Sequence, residues 1–369
     1  MFPGVKTPGY SQDVPPGQKN VATGVSAQQA TRFVRDAFEV ISRPRCPASS
    51  LLNIGLVCLG FAGALVAQEA PQFTGIQRLT NREIFLQLNA PAGLDYRIEV
   101  STNLLHWAPL LTLLSAGLNQ HTDSAAPYLA VRHYRAFQLS GTNFLTGDHL
   151  ATDDGEVIFH PINHATLVMS WNGKMIYNDP VGAATIYQGL PRADLILISH
   201  DHSDHFLIST LNAVTNANTM IIAPQAVYNN MSATLKSLTL VMTNGATMNG
   251  MGLGIAAVPA YNLTSSYHPK GVGNGYVLTI GGKRIYLSGD TEDIPEMRAL
   301  QNIAVAFVCI NVPYTMPGDK ARSAVREFRP QIVYPYHYRN QDSSYPNFNT
   351  FKQQVGTDLG IEVRLRKWY

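Results

Sequence analysis

The sequence predicts an α/β protein preceded by a small all-β domain, and three observations carry that prediction. Apolar runs such as NIAVAFVCINVPYT and PQIVYPYHY end on polar or ligand-type side chains, as buried strands do when they feed loops that hold chemistry. Between those runs, DKARSAVREF has the period of an amphipathic helix. Upstream, from about Gln72 to Ser140, the texture changes to short alternating runs parted by turn residues. A chain of 369 residues, 45% hydrophobic and 14% charged, can fill a sizeable core and exceeds a typical single domain, so two domains are the natural count. A formal net charge of +2 without a dense Lys/Arg run makes nucleic acid an unexpected partner.

Taken in order, residues 1–50 are rich in Pro, Gly, Gln and Ser and read as a disordered leader. Arg32, Arg35, Arg43 and Arg45 then precede an uncharged apolar stretch at 51–67, the layout of a signal peptide with cleavage after Ala64 or Ala67. The protein is therefore expected to be exported, periplasmic or secreted; the alternative is a membrane anchor formed by the same residues. Only three cysteines occur, and Cys46 and Cys58 lie in or before the segment expected to be removed. A disulfide framework is excluded, and Cys309 in AVAFVCINV reads as a buried, inert thiol.

Residues 72–145, with REIFLQLNA, AGLDYRIEVSTNLLHWAPL and AVRHYRAFQLS, read as a small antiparallel β module with Trp107 and Tyr134 as core aromatics. It looks like the β-sandwich modules, distantly fibronectin type III-like, attached to secreted bacterial proteins. A polar joint from Thr146 to Glu156 should separate it from a second domain at 154–369. That domain opens with two strands joined by Asn172-Gly173, a strong hairpin signal. Further on, TLNAVTNANTM and SATLKSL read as helical or loop segments around the strand MIIAP. GYVLTIGGKRIYLSGD is a second hairpin, turned at Gly281-Gly282.

The chemistry concentrates in LILISHDHSDHFLIS, where an apolar run opens into His200, Asp201, His202, Ser203, Asp204 and His205. Imidazoles bind metals as neutral ligands near neutral pH. His200 and His202 project to one side of a locally extended chain, whereas the adjacent Asp204 and His205 diverge. One ion would use the first pair and a second ion the other pair. Imidazole with carboxylate and no thiolate suits Zn, and Mn, Fe or Ni less well.

At these residues the chain resembles the metallo-β-lactamase-fold hydrolase superfamily, whose signature is H-x-H-x-D-H followed by a distant His, Asp and His. The later positions have candidates in His268 (SSYHPKG), Asp290 (YLSGDTED) and His337 (YPYHYRN). The wording is closest to the branch of L-ascorbate-6-phosphate lactonase and the N-acyl-phosphatidylethanolamine phospholipase D-like enzymes. The resemblance implies a four-layer αββα sandwich and two divalent ions, Zn2+ first, with Mn2+ or Fe as alternatives. His200, His202 and His268 would hold one ion and Asp204, His205 and His337 the other, with Asp290 bridging. The family also opens with a His near its first strand and an Asp after its second, here His164, with His160 as a close competitor, and Asp179, expected to orient the ligand loop.

The expected activity is hydrolysis of an ester-type bond, a lactone or a phosphoester, in a small-molecule substrate through a hydroxide shared by two metals. Asp204 and Asp290 would be the catalytic carboxylates; Tyr314 and Tyr336 or Tyr338 are candidates to donate to an oxyanion. Asp290 stands where many true metallo-β-lactamases carry a thiolate or Ser, which argues against β-lactam hydrolysis. Two alternatives remain. One is a secreted phosphodiesterase acting on lipid or nucleotide headgroups, which needs Lys270 or Arg339 near the metals. The other is a metal-bound but inactive binding protein whose β module recognises the partner.

Overall fold

The computed structural model describes residues 70–140 and 145–368. The leader and signal-peptide expectations, with Cys46 and Cys58, lie outside the described residues. The alternating region supplies strands β1 (Gln72–Arg78), β2 (Ile84–Asn89), β3 (Asp95–Ser101), β4 (Ala108–Leu114), β5 (Leu118–Asp123) and β6 (His133–Gln138). One sheet runs in the order β1-β2-β5, and β3 pairs antiparallel with both β4 and β6. Leu86 and Leu88 on one side, and Tyr96, Ile98, Val100 and Leu110 on the other, close a small core by the two-residue alternation of facing strands. Tyr134 packs against this core. Trp107 does not, against expectation. The turn built on Asn103, whose Oδ1 accepts from the Leu105 and His106 amides, lifts it off the sheet, and its ring lies 4.4 Å from the Arg135 guanidinium.

The polar joint is also corrected. Gly147–Ala151 is a strand, β7, pairing with β4 on one side and with β8 (Glu156–Asn163) on the other. Gly147 has φ 142°, and a Cβ there would collide with the Phe159 carbonyl, so only glycine lets these strands close up. The polarity that suggested a linker belongs to a buried network. Asp148 accepts from Arg366 Nε at 2.7 Å and from the Tyr334 hydroxyl at 2.8 Å. Glu362 accepts from Ser124 at 2.8 Å and pairs with Arg364 at 2.7 Å.

β8 continues through β9 (Thr166–Trp171), β10 (Lys174–Asn178), β11 (Leu195–Leu197), β12 (Met220–Ala223) and β13 (Thr239–Val241). The result is a ten-stranded sheet in the order β13-β12-β11-β10-β9-β8-β7-β4-β3-β6. Asn172 and Gly173 turn the β9–β10 hairpin with φ of 47° and 73°, the left-handed pair that such a turn demands. A second sheet contains β14 (Thr247–Gly250), β15 (Leu253–Ala260), β16 (Gly273–Ile280), β17 (Lys283–Leu287), β18 (Ile303–Cys309), β19 (Ile332–Tyr336) and β20 (Glu362–Val363), in chain order.

Alternation sorts these strands into layers. Leu167, Met169, Leu195 and Leu197 join the core shared with the second sheet, where Phe159 meets Phe307 at 5.4 Å. Val168, Ile196 and Ile198, one residue out of phase, pack instead on α1 (Ile208–Val214), α2 (Gln225–Asn230) and α3 (Ala233–Ser237). On the far side Tyr286 meets Phe328, 6.2 Å away. That ring belongs to α5 (Gly318–Phe328), flanked by α4 (Pro295–Arg298) and α6 (Phe348–Val355). Ala321, Ala324, Val325 and Phe328 form the buried stripe of α5 at helical spacing. The order is helices, sheet, sheet, helices, and a one-residue slip in any central strand would exchange its two faces. Cys309 is free and buried, and burial pushes its thiol up to about 12, so it offers no thiolate.

Candidate metal centre

Strand β11 is three buried residues long, and the chain leaves it directly into the His-rich turn. There the His205 and Phe206 amides both bond the His202 carbonyl, at 3.0 and 2.8 Å. The turn gathers the imidazoles: the His200 ring lies 4.5 Å from that of His202, 4.1 Å from His205 and 4.9 Å from His268. His202 is the exposed member of the His200, His202 and His268 trio, whose donor atoms lie within 4.8 Å of one another. Asp204 and His205 diverge locally yet both meet His337, which follows β19. His205 Nε2 is 3.1 Å from His337 Nε2, and Asp204 Oδ2 is 3.4 Å from the same nitrogen.

Asp290, just past β17, reaches both groups. Its Oδ1 lies 3.3 Å from His205 Nε2 and 3.4 Å from His337 Nε2, and its Oδ2 lies 3.4 Å from His268 Nε2. All seven ligand candidates therefore converge. Among the described residues, buried His200 Nε2 and His268 Nε2 have no hydrogen-bond partner. Leaving such atoms unsatisfied costs about 1–3 kcal/mol each. A divalent cation taking nitrogen and carboxylate donors fits this arrangement, and no thiolate stands among them.

The electrostatics follow from burial and from Asp290. Burial, then the neighbouring His205, holds His200 well below the usual imidazole value. Burial is also the largest influence on His205, but the Asp290 and Asp179 carboxylates outweigh it and carry that imidazole well above its usual value. Asp290 feels burial pushing it up, and His337 and His205 together hold it well below the carboxylate range.

Behind the ligands, the buried Asp179 accepts from the Ser199 amide at 2.7 Å and from the Ser199 hydroxyl at 2.8 Å, and its Oδ2 lies 2.9 Å from His205 Nδ1. His164 Nδ1 or Nε2 falls within 4.8 Å of Asp204 and His337 donors, and the His164 carbonyl accepts from the His337 amide at 3.2 Å. Burial, then the nearby His337, brings His164 down to about 4. His164, Asp179 and His337 have φ of 49°, 42° and 45°, left-handed backbone on non-glycine residues of a kind that clusters at functional sites.

Two expected donors are corrected. The Tyr336 hydroxyl is buried and accepts from the Gly289 amide at 2.9 Å, bracing the turn that presents Asp290 rather than facing a substrate. The Tyr338 hydroxyl bonds the Arg366 carbonyl and the Trp368 amide. Tyr314 is half-buried at the rim, its ring edge-on to Tyr267 with centroids 5.0 Å apart. Of the two basic candidates, Lys270 is occupied by Glu296 at 3.3 Å and by the Tyr261 hydroxyl at 3.2 Å, while the charge of Arg339 is felt at His164.

Sequence reasoning missed two residues. The Ser199 hydroxyl lies 3.0 Å from His200 Nδ1 and 3.1 Å from His205 Nδ1, touching a ligand from each group. Asn262 Oδ1 accepts from His268 Nδ1 at 2.9 Å, and its amide donates to the Tyr314 carbonyl at 2.7 Å. Ser199 had a signal, its place between a buried strand and the first ligand. Asn262, six residues before His268, had none.

The layered sandwich with ligands at strand ends is the metallo-β-lactamase fold. The family described as a beta-lactamase superfamily domain matches residues 160–337, a span containing every ligand candidate. A UPF0173 metal-dependent hydrolase of Thermococcus onnurineus is 31% identical over 177 residues, covering 46% of this chain and 78% of that protein. One from Enterococcus faecalis is 33% identical over 183 residues, covering 44% and 75%. A solved structure from Parabacteroides distasonis, described as a metal-dependent hydrolase, is 38% identical and covers 61% of this chain and 100% of its own, with a TM-score of 0.54. The chain thus belongs to the UPF0173 metal-dependent hydrolases of the metallo-β-lactamase superfamily, and it is an enzyme of that class.

Proposed function

We propose that this hydrolase cleaves an ester-type bond, a lactone or a phosphoester, in a small-molecule substrate with the help of two divalent ions, Zn2+ first among them. The observation that carries the reading is Asp290, one oxygen of which faces His205 and His337 while the other faces His268. His200, His202 and His268 would hold one ion, and Asp204, His205 and His337 the other. Bound there, the ions supply Lewis-acid activation of water and of the attacked group.

The chain's own residues do the rest. Ser199, Asp179 and Asn262 sit against the Nδ1 atoms of His200, His205 and His268, which leaves each Nε2 lone pair for a metal. Asp204, 39% exposed at its side chain, is placed to orient a water and accept its proton. The apolar stretch at 51–67 makes export part of this proposal.

Elemental analysis of the purified chain, with assays on lactones, carboxylic esters and phosphoesters, tests the reading. Two ions per chain are expected. Asp290→Asn, which keeps the size and loses the charge, is expected to release at least one ion and lower turnover by orders of magnitude. One ion per chain that survives loss of Asp204, His205 or His337 would end the dinuclear reading. An Asn variant with both ions and parental turnover would remove its centre.

A further inference from the structure

We infer that the apolar part of the substrate lies on a wall formed by Tyr267 and Val272, so that the preferred substrates are carboxylic esters or lactones with an apolar acyl group. The inference rests on the ester-hydrolase reading above and narrows it. Ala260, Tyr267, Pro269 and Val272 line the pocket at the metal centre together with four of the ligand candidates and Asp201. Its volume of about 30 Å³ is too small to enclose a long acyl chain. A longer acyl group must therefore continue over the open side.

Apolar side chains on the loop that borders it stay in water. Tyr267 is 43% exposed, Val272 36% and Leu263 52%, all on the loop that carries His268. Single exposed apolar residues are ordinary, but a group of them bordering a reactive centre marks a surface that a ligand covers. The wall is also fixed in place. Tyr267 is edge-on to Tyr314, and Asn262 ties the Tyr314 carbonyl to His268, so wall and ligand are positioned by one side chain. Lys270, the cation of that same loop, is paired with Glu296 and donates to the Tyr261 hydroxyl. In the reaction the oxygen of water bonds to the acyl carbon and the bond from that carbon to the alcohol oxygen breaks. One proton of the water passes to the departing alcohol, giving acid and alcohol.

The full chain loaded with Zn2+ is assayed with p-nitrophenyl acetate, butyrate and octanoate and with bis(p-nitrophenyl) phosphate. kcat/KM is expected to rise about two- to fourfold per methylene over the first members, in line with apolar burial. Tyr267→Ala is expected to flatten that rise and Tyr267→Phe to keep it, with thermal melting showing both variants folded. A profile flat in chain length, a parental slope in the Ala variant, or faster cleavage of the phosphodiester would overturn the inference. Calorimetric titration of the loaded chain with acetate, butyrate and octanoate ions needs no turnover. Binding that tightens with length in the parent and not in Tyr267→Ala supports the wall even if no ester is cleaved, an outcome that sinks only the catalytic reading. Length-independent binding overturns the wall while leaving that reading intact.

Discussion

At the residue scale, one hydroxyl holds a disproportionate share of the site. Ser199 donates to Asp179 and lies within hydrogen-bonding reach of His200 and His205, ligand candidates from different donor groups. Removing an orienting partner of a metal-bound imidazole typically costs about 10- to 100-fold in metal affinity. Ser199→Ala should therefore weaken Zn2+ binding by about that factor in a chelator competition, and Ser199→Thr, which keeps the hydroxyl, should restore most of it. Parental affinity in the Ala variant would reduce Ser199 to a packing residue. The ligands were legible because three imidazoles and two carboxylates within six positions have few other uses, whereas a serine or an asparagine looks the same in any loop. Tyr336 misled because adjacency to His337 says nothing about which way a strand residue faces; its hydroxyl turned inward to Gly289.

At the scale of elements, β7 is where composition and fold part company. Its residues are polar because Asp148 must meet Tyr334 and Arg366, 186 and 218 positions away, and no local pattern announces such partners. The Asn172-Gly173 hairpin was legible for the opposite reason, since its requirement is entirely local. Gly147→Ala tests the strand directly: forbidden backbone and a blocked Cβ should cost about 1–3 kcal/mol in denaturant unfolding, whereas a linker would tolerate it.

The same junction sets a pH dependence. Burial first, and Arg366 and Arg364 next, bring His121 down to about 3, against raising influences from Asp148 and Asp123. A depressed value means the unfolded chain takes a proton that the folded one refuses. The contribution to stability is thus full above about pH 6.5 and is lost as pH falls toward the folded value, at a slope of about 1.4 kcal/mol per pH unit. Asp148 follows the same sign lower down: burial raises it, the two arginines hold it well below the carboxylate range, and its contribution is lost in stronger acid. Urea unfolding between pH 7 and 4 should show the His121 slope and lose it in His121→Gln; equal slopes in both would remove His121 as its source.

At the scale of the whole molecule, the candidate metal centre is a seam. Asp179, His200, His202, Asp204 and His205 follow β10 and β11 of the ten-stranded sheet, while His268, Asp290 and His337 belong to loops of the seven-stranded sheet. Cations held by these groups would cross-link the two sheets, so metal binding would add to the stability of the closed sandwich. A ligand that binds only the folded chain adds about 4 kcal/mol of stability at a thousandfold excess over its Kd. At about 2–4 °C per kcal/mol for a domain of this size, the melting temperature should rise by about 8–16 °C on adding Zn2+ and fall back with a chelator. Asp290→Asn should shrink the rise, because one carboxylate touches donors from both sheets. Calorimetry showing the same melting temperature with excess Zn2+ and with chelator would mean that the converging imidazoles do not hold a cation in the folded chain, and the seam would then be a cluster of buried polar groups held closed by its ion pairs alone.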